Sequence, residues 1–245
     1  MRIYLSADIE GVTGSITWDE GSADKPEYRY FQEQMTKEVA AACEGALAAG
    51  ADEVLVKDAH YTARNIIPDM LPENTKLLRG WTEEAEMMVA GIDDGFDAAV
   101  YIGYHAPSGS KASPLSHTMN PKIQSISCNG KPIAEFDLSA MTAAYYGVPV
   151  VFLSGDSGIC GIARAAIPAI GTFATNEGRG SGAVCVHPHT AVTEIRKAVQ
   201  KAITQFQKGD RLSCLYPIPK HFRFEIRYQQ HTMAKQSLEL SRRDA

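Results

Sequence analysis

Four short apolar runs, each ending in an acid or a histidine, constrain this chain more than any other feature. Residues 2–7 (RIYLSA) run into Asp8 and Glu10. EVLVKDAH (53–60) ends in Asp58 and His60, DAAVYIGYHA (97–106) in His105, and VPVVFLSGD (148–156) in Asp156. Runs this short and this apolar suit strands buried on both faces of a parallel sheet. The stretches between them are helical in spacing. Residues 29–49 carry apolar positions at helical intervals and stop at Gly50, a favoured C-terminal cap. Thr82, Glu83 and Glu84 predict a helix over 82–91, with acids at its positive end. SAMTAAYYG (139–147) predicts a helix before the fourth strand, and a further one follows it, ending near Pro168. This order predicts an α/β fold: a mostly parallel sheet flanked by helices.

One segment breaks the alternation. IQSISCNGKPIAEF (123–136) has two extended arms around Asn129-Gly130, a strong hairpin signal, so a β-hairpin is expected as an insertion. Beyond residue 170 come a short strand, a Gly-rich loop (177–183), a long helix over 188–208 and a Pro-flanked strand at 221–227. The expected organisation is therefore an α/β metal-site domain over 1–170, carrying the hairpin, and a smaller C-terminal α+β part over 171–245. The final polar stretch, QQHTMAKQSLELSRRDA, predicts neither a strand nor a capped helix.

At 245 residues the chain is long enough for a full core. A net charge of −5 without a Lys/Arg-rich block argues against nucleic acid. No apolar run reaches the length of a membrane span. Five scattered cysteines with no CxxC pair fit reduced thiols in the cytoplasm. Neither G-x-G-x-x-G nor G-x-x-x-x-G-K-[ST] occurs, so these nucleotide sites are not expected.

The polar strand ends carry the chemistry. In open parallel sheets, ligands lie outside the carboxyl ends of the strands. Asp8 and Glu10, two apart in extended backbone, project to one side and repel unless a cation sits between them. Asp8, Glu10, His60 and His105, with Asp58 and Asp156 as further candidates, therefore point to a shared cation site. Glu135, on the hairpin arm, can reach the same edge. Asp, Glu and His without Cys suit zinc in a hydrolytic site, with manganese or cobalt as substitutes. Two histidines and three carboxylates match two ions sharing one carboxylate.

Six motifs stand in order along residues 1–225: SADIEG (6–11), VKDAH (56–60), GYHA (103–106), LSHTM (115–119), NGKPIAEF (129–136) and FLSGD (152–156). With them the chain resembles the DppA-like zinc-dependent D-aminopeptidases of the dipeptide-transport operon type. The resemblance implies two zinc ions per subunit, with Asp8 bridging, Glu10 and His60 on one ion, and His105 and Glu135 on the other. It implies His117 as the catalytic histidine, which residue spacing alone does not single out. It also implies small D-amino-acid-containing peptides or amides as substrates and a ring-stacked homo-oligomer, a homodecamer, with sites facing an internal channel. Family members usually continue with a Pro-Gly turn and another strand-helix pair, so a shortened C-terminal part is expected here.

The expected reaction is hydrolysis that releases N-terminal amino acids through a zinc-activated water. Asp58 is a candidate partner for one of the ligands. Two rival readings use the same residue types. One is a two-metal phosphoesterase, which lacks an evident Arg/Lys cluster near the motifs; the other is a non-catalytic metal-bound peptide-binding assembly.

Overall fold

The computed structural model describes residues 1–241. The apolar runs become β1 (Arg2–Ala7), β2 (Glu53–Asp58), β3 (Thr75–Leu78) and β4 (Ala98–Tyr104), with α1 (Tyr28–Ala48) between the first two. The hairpin follows as β5 (Ile123–Cys128) and the two-residue β6 (Lys131–Pro132), leading into α2 (Glu135–Tyr145). The second half holds β7 (Val150–Asp156), α3 (Ser157–Ala166), β8 (Gly171–Arg179), β9 (Gly182–Cys185), α4 (Pro188–Lys208), β10 (Phe224–Tyr228) and α5 (His231–Ser241).

The main sheet has seven strands in the order β3-β2-β1-β4-β7-β8-β9, parallel except for the β8–β9 pair. From β1 the chain steps outward to β2 and β3, then returns and builds the other half from β4. The strand order therefore reverses between β1 and β4, where a parallel sheet opens a crevice at its carboxyl edge. β4 and β7 are buried along their whole length, which explains their unbroken apolar sequence. Because parallel crossovers are almost always right-handed, building outward from β1 in both directions puts helices on both faces. α1 and α4 pack together as one layer, close enough that a Cβ on Gly45 would lie 2.4 Å from the Arg196 carbonyl oxygen. α2 and α3 touch each other on the opposite side. β5 is the middle strand of a separate three-stranded antiparallel sheet, between β10 and β6.

Three local expectations differ from the structure. Residues 82–91 form no α-helix, only a 3₁₀ turn over Met87–Val89. Glu83 (φ 64°) and Met87 (φ 50°) have left-handed backbone, which a right-handed helix cannot include, and the sheet holds the segment as Ser6 Oγ donates to Met88 O and Tyr4 Oη to Ala90 O. Glu135 is the first residue of α2 rather than part of a hairpin arm. Within the final polar stretch, given no element from sequence, His231–Ser241 form α5, and residues 242–245 lie outside the described residues.

Candidate metal centre

Each strand of the crevice delivers its polar residue to one point. The chain leaves β1 at Ala7, and Asp8 N donates to the Ile102 carbonyl while Gly11 N donates to that of Gly103, fastening the 8–11 turn to β4. That approach needs glycine. A Cβ on Gly11 would stand 1.9 Å from the Tyr104 carbonyl oxygen, and one on Gly103, which has φ +72°, would stand 2.2 Å from that of Asp8. His60 follows β2, His105 follows β4, Glu135 opens α2, and His117 comes from the long β4–β5 connection. All six predicted site residues are buried and meet at the carboxyl edge of the sheet.

Asp8 lies at the centre. Its Oδ1 is 3.2 Å from His60 Nδ1, and its Oδ2 is 3.6 Å from His105 Nε2. Glu10 Oε2 stands 3.1 Å from the same His60 nitrogen. Glu135 Oε1 stands 3.5 Å from His105 Nε2 and 3.6 Å from His117 Nε2. Thus one carboxylate faces two halves, His60 with Glu10 and His105 with Glu135. His117 stacks on His105 with ring centroids 4.1 Å apart, and the edge of Trp18 braces its ring.

The backbone sets all three imidazoles. His60 Nε2 donates to Gly21 O at 2.8 Å, His105 Nδ1 to Ala106 O at 3.0 Å, and His117 Nδ1 to Leu115 O at 2.8 Å. A carbonyl only accepts, so each facing nitrogen carries the proton. The other nitrogen of each neutral ring then presents a lone pair to carboxylate oxygens, which are also lone pairs. His105 Nε2 and Glu10 Oε2 are buried without a hydrogen-bond partner. Such an arrangement is repulsive until a proton or a cation enters.

The titration behaviour reports the same imbalance. Burial raises the Asp8 carboxyl well above its ordinary value, and Glu10 adds to it. Burial opposes charge on His60 and His105, yet the acids overcome it: Glu10 drives His60 well up, and Glu135 drives His105 to about 10. His117 is instead lowered, by burial and by neighbouring His105, so it stays neutral at neutral pH. Three buried carboxylates therefore pull protons onto two imidazoles in the absence of another cation. Oxygen and imidazole nitrogen donors with no sulfur suit zinc. Close enough together to share an ion, His105, His117 and Glu135 form one donor group, and Asp8, Glu10 and His105 form another.

Asp58 and Asp156 do not join the centre. Asp58 accepts from Asn65 N, Asn65 Nδ2 and Ile66 N, and Asn65 Nδ2 also donates to the His60 carbonyl. It therefore holds the backbone of His60 and never meets the ring. Asp156 caps α3 through Gly158 N and Ile159 N, and accepts from Ala106 N at 2.6 Å, which fixes the residue after His105.

The centre forms the floor of a cavity of about 500 Å³. Trp18, Tyr61, Trp81, Met87, Leu115 and Met119 contribute its apolar walls, and among the described residues no Lys or Arg lines it. Sequence reading missed these walls and the carbonyls of Gly21, Ala106 and Leu115. The conformation of long connections places them, and no motif in the sequence signals it.

Comparison with known proteins gives the family and the fold. The D-aminopeptidase family model matches residues 1–242. A D-aminopeptidase of Bacillus subtilis (strain 168) is 31% identical over 218 residues, covering 89% of this chain and 78% of the relative. The solved structure of the Zn-dependent D-aminopeptidase DppA from Bacillus subtilis, described as a self-compartmentalizing protease, superposes with a TM-score of 0.87 at 28% identity. That superposition covers 96% of this chain and 84% of the other.

Proposed function

The chain belongs to the D-aminopeptidase family, and from that premise we propose that it is a zinc-dependent aminopeptidase releasing N-terminal D-amino acids from small peptides or amides. The observation that carries the reading is the division of Asp8, one oxygen toward His60 and the other toward His105. In this reading Asp8, Glu10 and His60 would hold one zinc ion, and Asp8, His105 and Glu135 would hold a second. The three carboxylates bring three negative charges, which two divalent cations offset with one positive charge to spare. Bound zinc would supply a water acidified towards neutral pH and a polarising centre for the carbonyl.

The chain's own residues supply the rest. His117 Nε2 faces the centre with its lone pair free, because Nδ1–H is committed to Leu115 O. It would take a proton there from the attacking water and deliver it to the leaving amine, and in its protonated form would stabilise the oxyanion between these steps. Trp18 and His105 keep its ring from rotating away. Bound zinc would also attract the lone pair of the substrate's free amine, which would restrict cleavage to the N-terminal residue. The absence of Lys and Arg among the described lining residues disfavours a phosphate ester.

The solved relative is a self-compartmentalizing protease; we extend a homo-oligomeric assembly, a homodecamer, to this chain, together with a cytoplasmic location supported by its five unpaired cysteines. The deciding experiment offers D-alanyl and L-alanyl p-nitroanilide to chelator-stripped protein, with and without added zinc. Zinc-dependent cleavage of the D-form is expected. No cleavage by protein holding two zinc ions, or faster cleavage of the L-form, overturns the reading.

A further inference from the structure

The apolar wall above the metal centre is built as deliberately as the centre. Three of its residues, Tyr61 (φ 43°), Met87 (φ 50°) and Met119 (φ 68°), have left-handed backbone, which side chains other than glycine rarely adopt. Two of them adjoin the site residues directly. Tyr61 follows His60, while Met119 lies two residues beyond His117 and its N–H donates to Glu135 Oε1 at 2.6 Å. Backbone strain of this kind persists where the surroundings demand a particular side-chain direction.

Trp81 is held from two sides. Its indole Nε1 donates to the Tyr61 carbonyl at 2.8 Å. The fully buried Lys57 places its ammonium 4.7 Å from the ring centroid and donates to the carbonyls of Asp58 and Gly80. Lys57 thus ties the end of β2, which leads to His60, to the segment carrying Trp81. Even so, Trp81, Trp18, Tyr61 and Met87 keep between 44% and 70% of their surface exposed. They are fixed in place and left uncovered, which for large apolar groups marks a contact surface.

We propose that Trp18, Tyr61, Trp81, Met87 and Met119 form the side-chain subsite, and that it selects substrates whose N-terminal residue is apolar and up to aromatic in size. The inference rests on the aminopeptidase reading, because it assumes the amine sits at the metal-centre floor and the attached side chain rises along the wall. A lysyl or glutamyl side chain would lose hydration against this wall and find no opposite charge among the described lining residues beyond the metal-binding acids. Methionines adapt to side chains of different shape, while the indoles offer flat faces to an aromatic ring.

The molecule carries its own reporter. Its two tryptophans both line this cavity. Zinc-loaded protein is titrated with D-phenylalaninol and D-alaninol, which have no cleavable bond, while tryptophan fluorescence is followed. In parallel, kcat/KM is measured for the D-phenylalanyl, D-alanyl, D-lysyl and D-glutamyl p-nitroanilides. D-phenylalaninol is expected to bind about tenfold more tightly than D-alaninol, and the phenylalanyl substrate to exceed both charged ones by about tenfold or more. Trp81→Ala should cut the phenylalanyl-to-alanyl ratio by roughly fivefold, with Met87→Ala, at an exposed position, as a second variant that preserves folding. Equal binding of the two amino alcohols, or variants that slow all substrates by one factor, overturns the subsite. If no anilide is cleaved yet D-phenylalaninol still binds selectively, the aminopeptidase reading falls and the subsite stands. Cleavage without side-chain preference removes the subsite and leaves the aminopeptidase reading in place.

Discussion

At the residue scale, the site depends on which oxygen faces which nitrogen. Asp8 is shared between the two halves, whereas His117 touches only their edge, at 3.9 Å from Glu10 and 3.6 Å from Glu135. Their losses should therefore differ in kind. Asp8→Ala is expected to remove zinc from both positions, measured as metal per chain after dialysis. His117→Ala should retain its zinc and lose turnover by about 10²–10⁴-fold, the usual contribution of a positioned proton carrier. Equal zinc loss in the two variants would contradict the roles assigned. Gly11 and Gly103 show the same economy of space. They are present because two backbones meet where no Cβ fits, and that contact puts Asp8 beside His105.

At the element scale, α1 supports the metal-bearing turn through a buried acid. Glu38 Oε1 accepts from Thr13 N and Gln34 Nε2, both at 3.0 Å, while its Oε2 has no partner. Burial raises its carboxyl from 4.5 to about 7. The folded state thus holds this proton more tightly than the unfolded chain. The stability it contributes is full below pH 4.5 and is lost as pH rises through 7. Glu38→Gln keeps the accepting oxygen and abolishes the titration. Its melting temperature should match wild type at about pH 4.5 and exceed it at about pH 8, by at most about 3 kcal/mol, or roughly 6–12 °C for a chain of this size. Parallel curves for the two proteins across that range would rule the effect out.

At the scale of the whole molecule, the metal centre joins the two halves of the sheet. Its donors come from the ends of β1, β2 and β4 and from the start of α2, so an unfilled centre concentrates repulsion where the strand order reverses. Ions that bind only the folded state stabilise it by about 2.7–4.1 kcal/mol each when present at 100–1,000 times their dissociation constant. Chelation should therefore lower the melting temperature by roughly 10 °C or more, and zinc should restore it. A melting temperature indifferent to chelator would place the burial of these acids on some other footing.

The apolar runs and the helical spacing between them determined the layers, because a strand buried on both faces leaves an unbroken apolar signature that no exposed element can imitate. Asp8, Glu10, His60 and His105 were legible for the same reason: each closely follows such a run, and a parallel sheet sends all its carboxyl ends one way. Glu135 was legible through the hairpin before it, and His117 only through family likeness. Tertiary structure alone decided the rest. The 82–91 segment has a helix-like opening, yet its backbone turns left-handed at Glu83 and Met87, and Ser6 and Tyr4 hold it from across the molecule. Asp58 and Asp156 have the same sequence setting as the site acids, but nearby N–H groups reach them first. Local sequence states which groups a residue offers. Which partner each group finds depends on backbone brought from elsewhere in the chain, and that is settled only when the chain has folded.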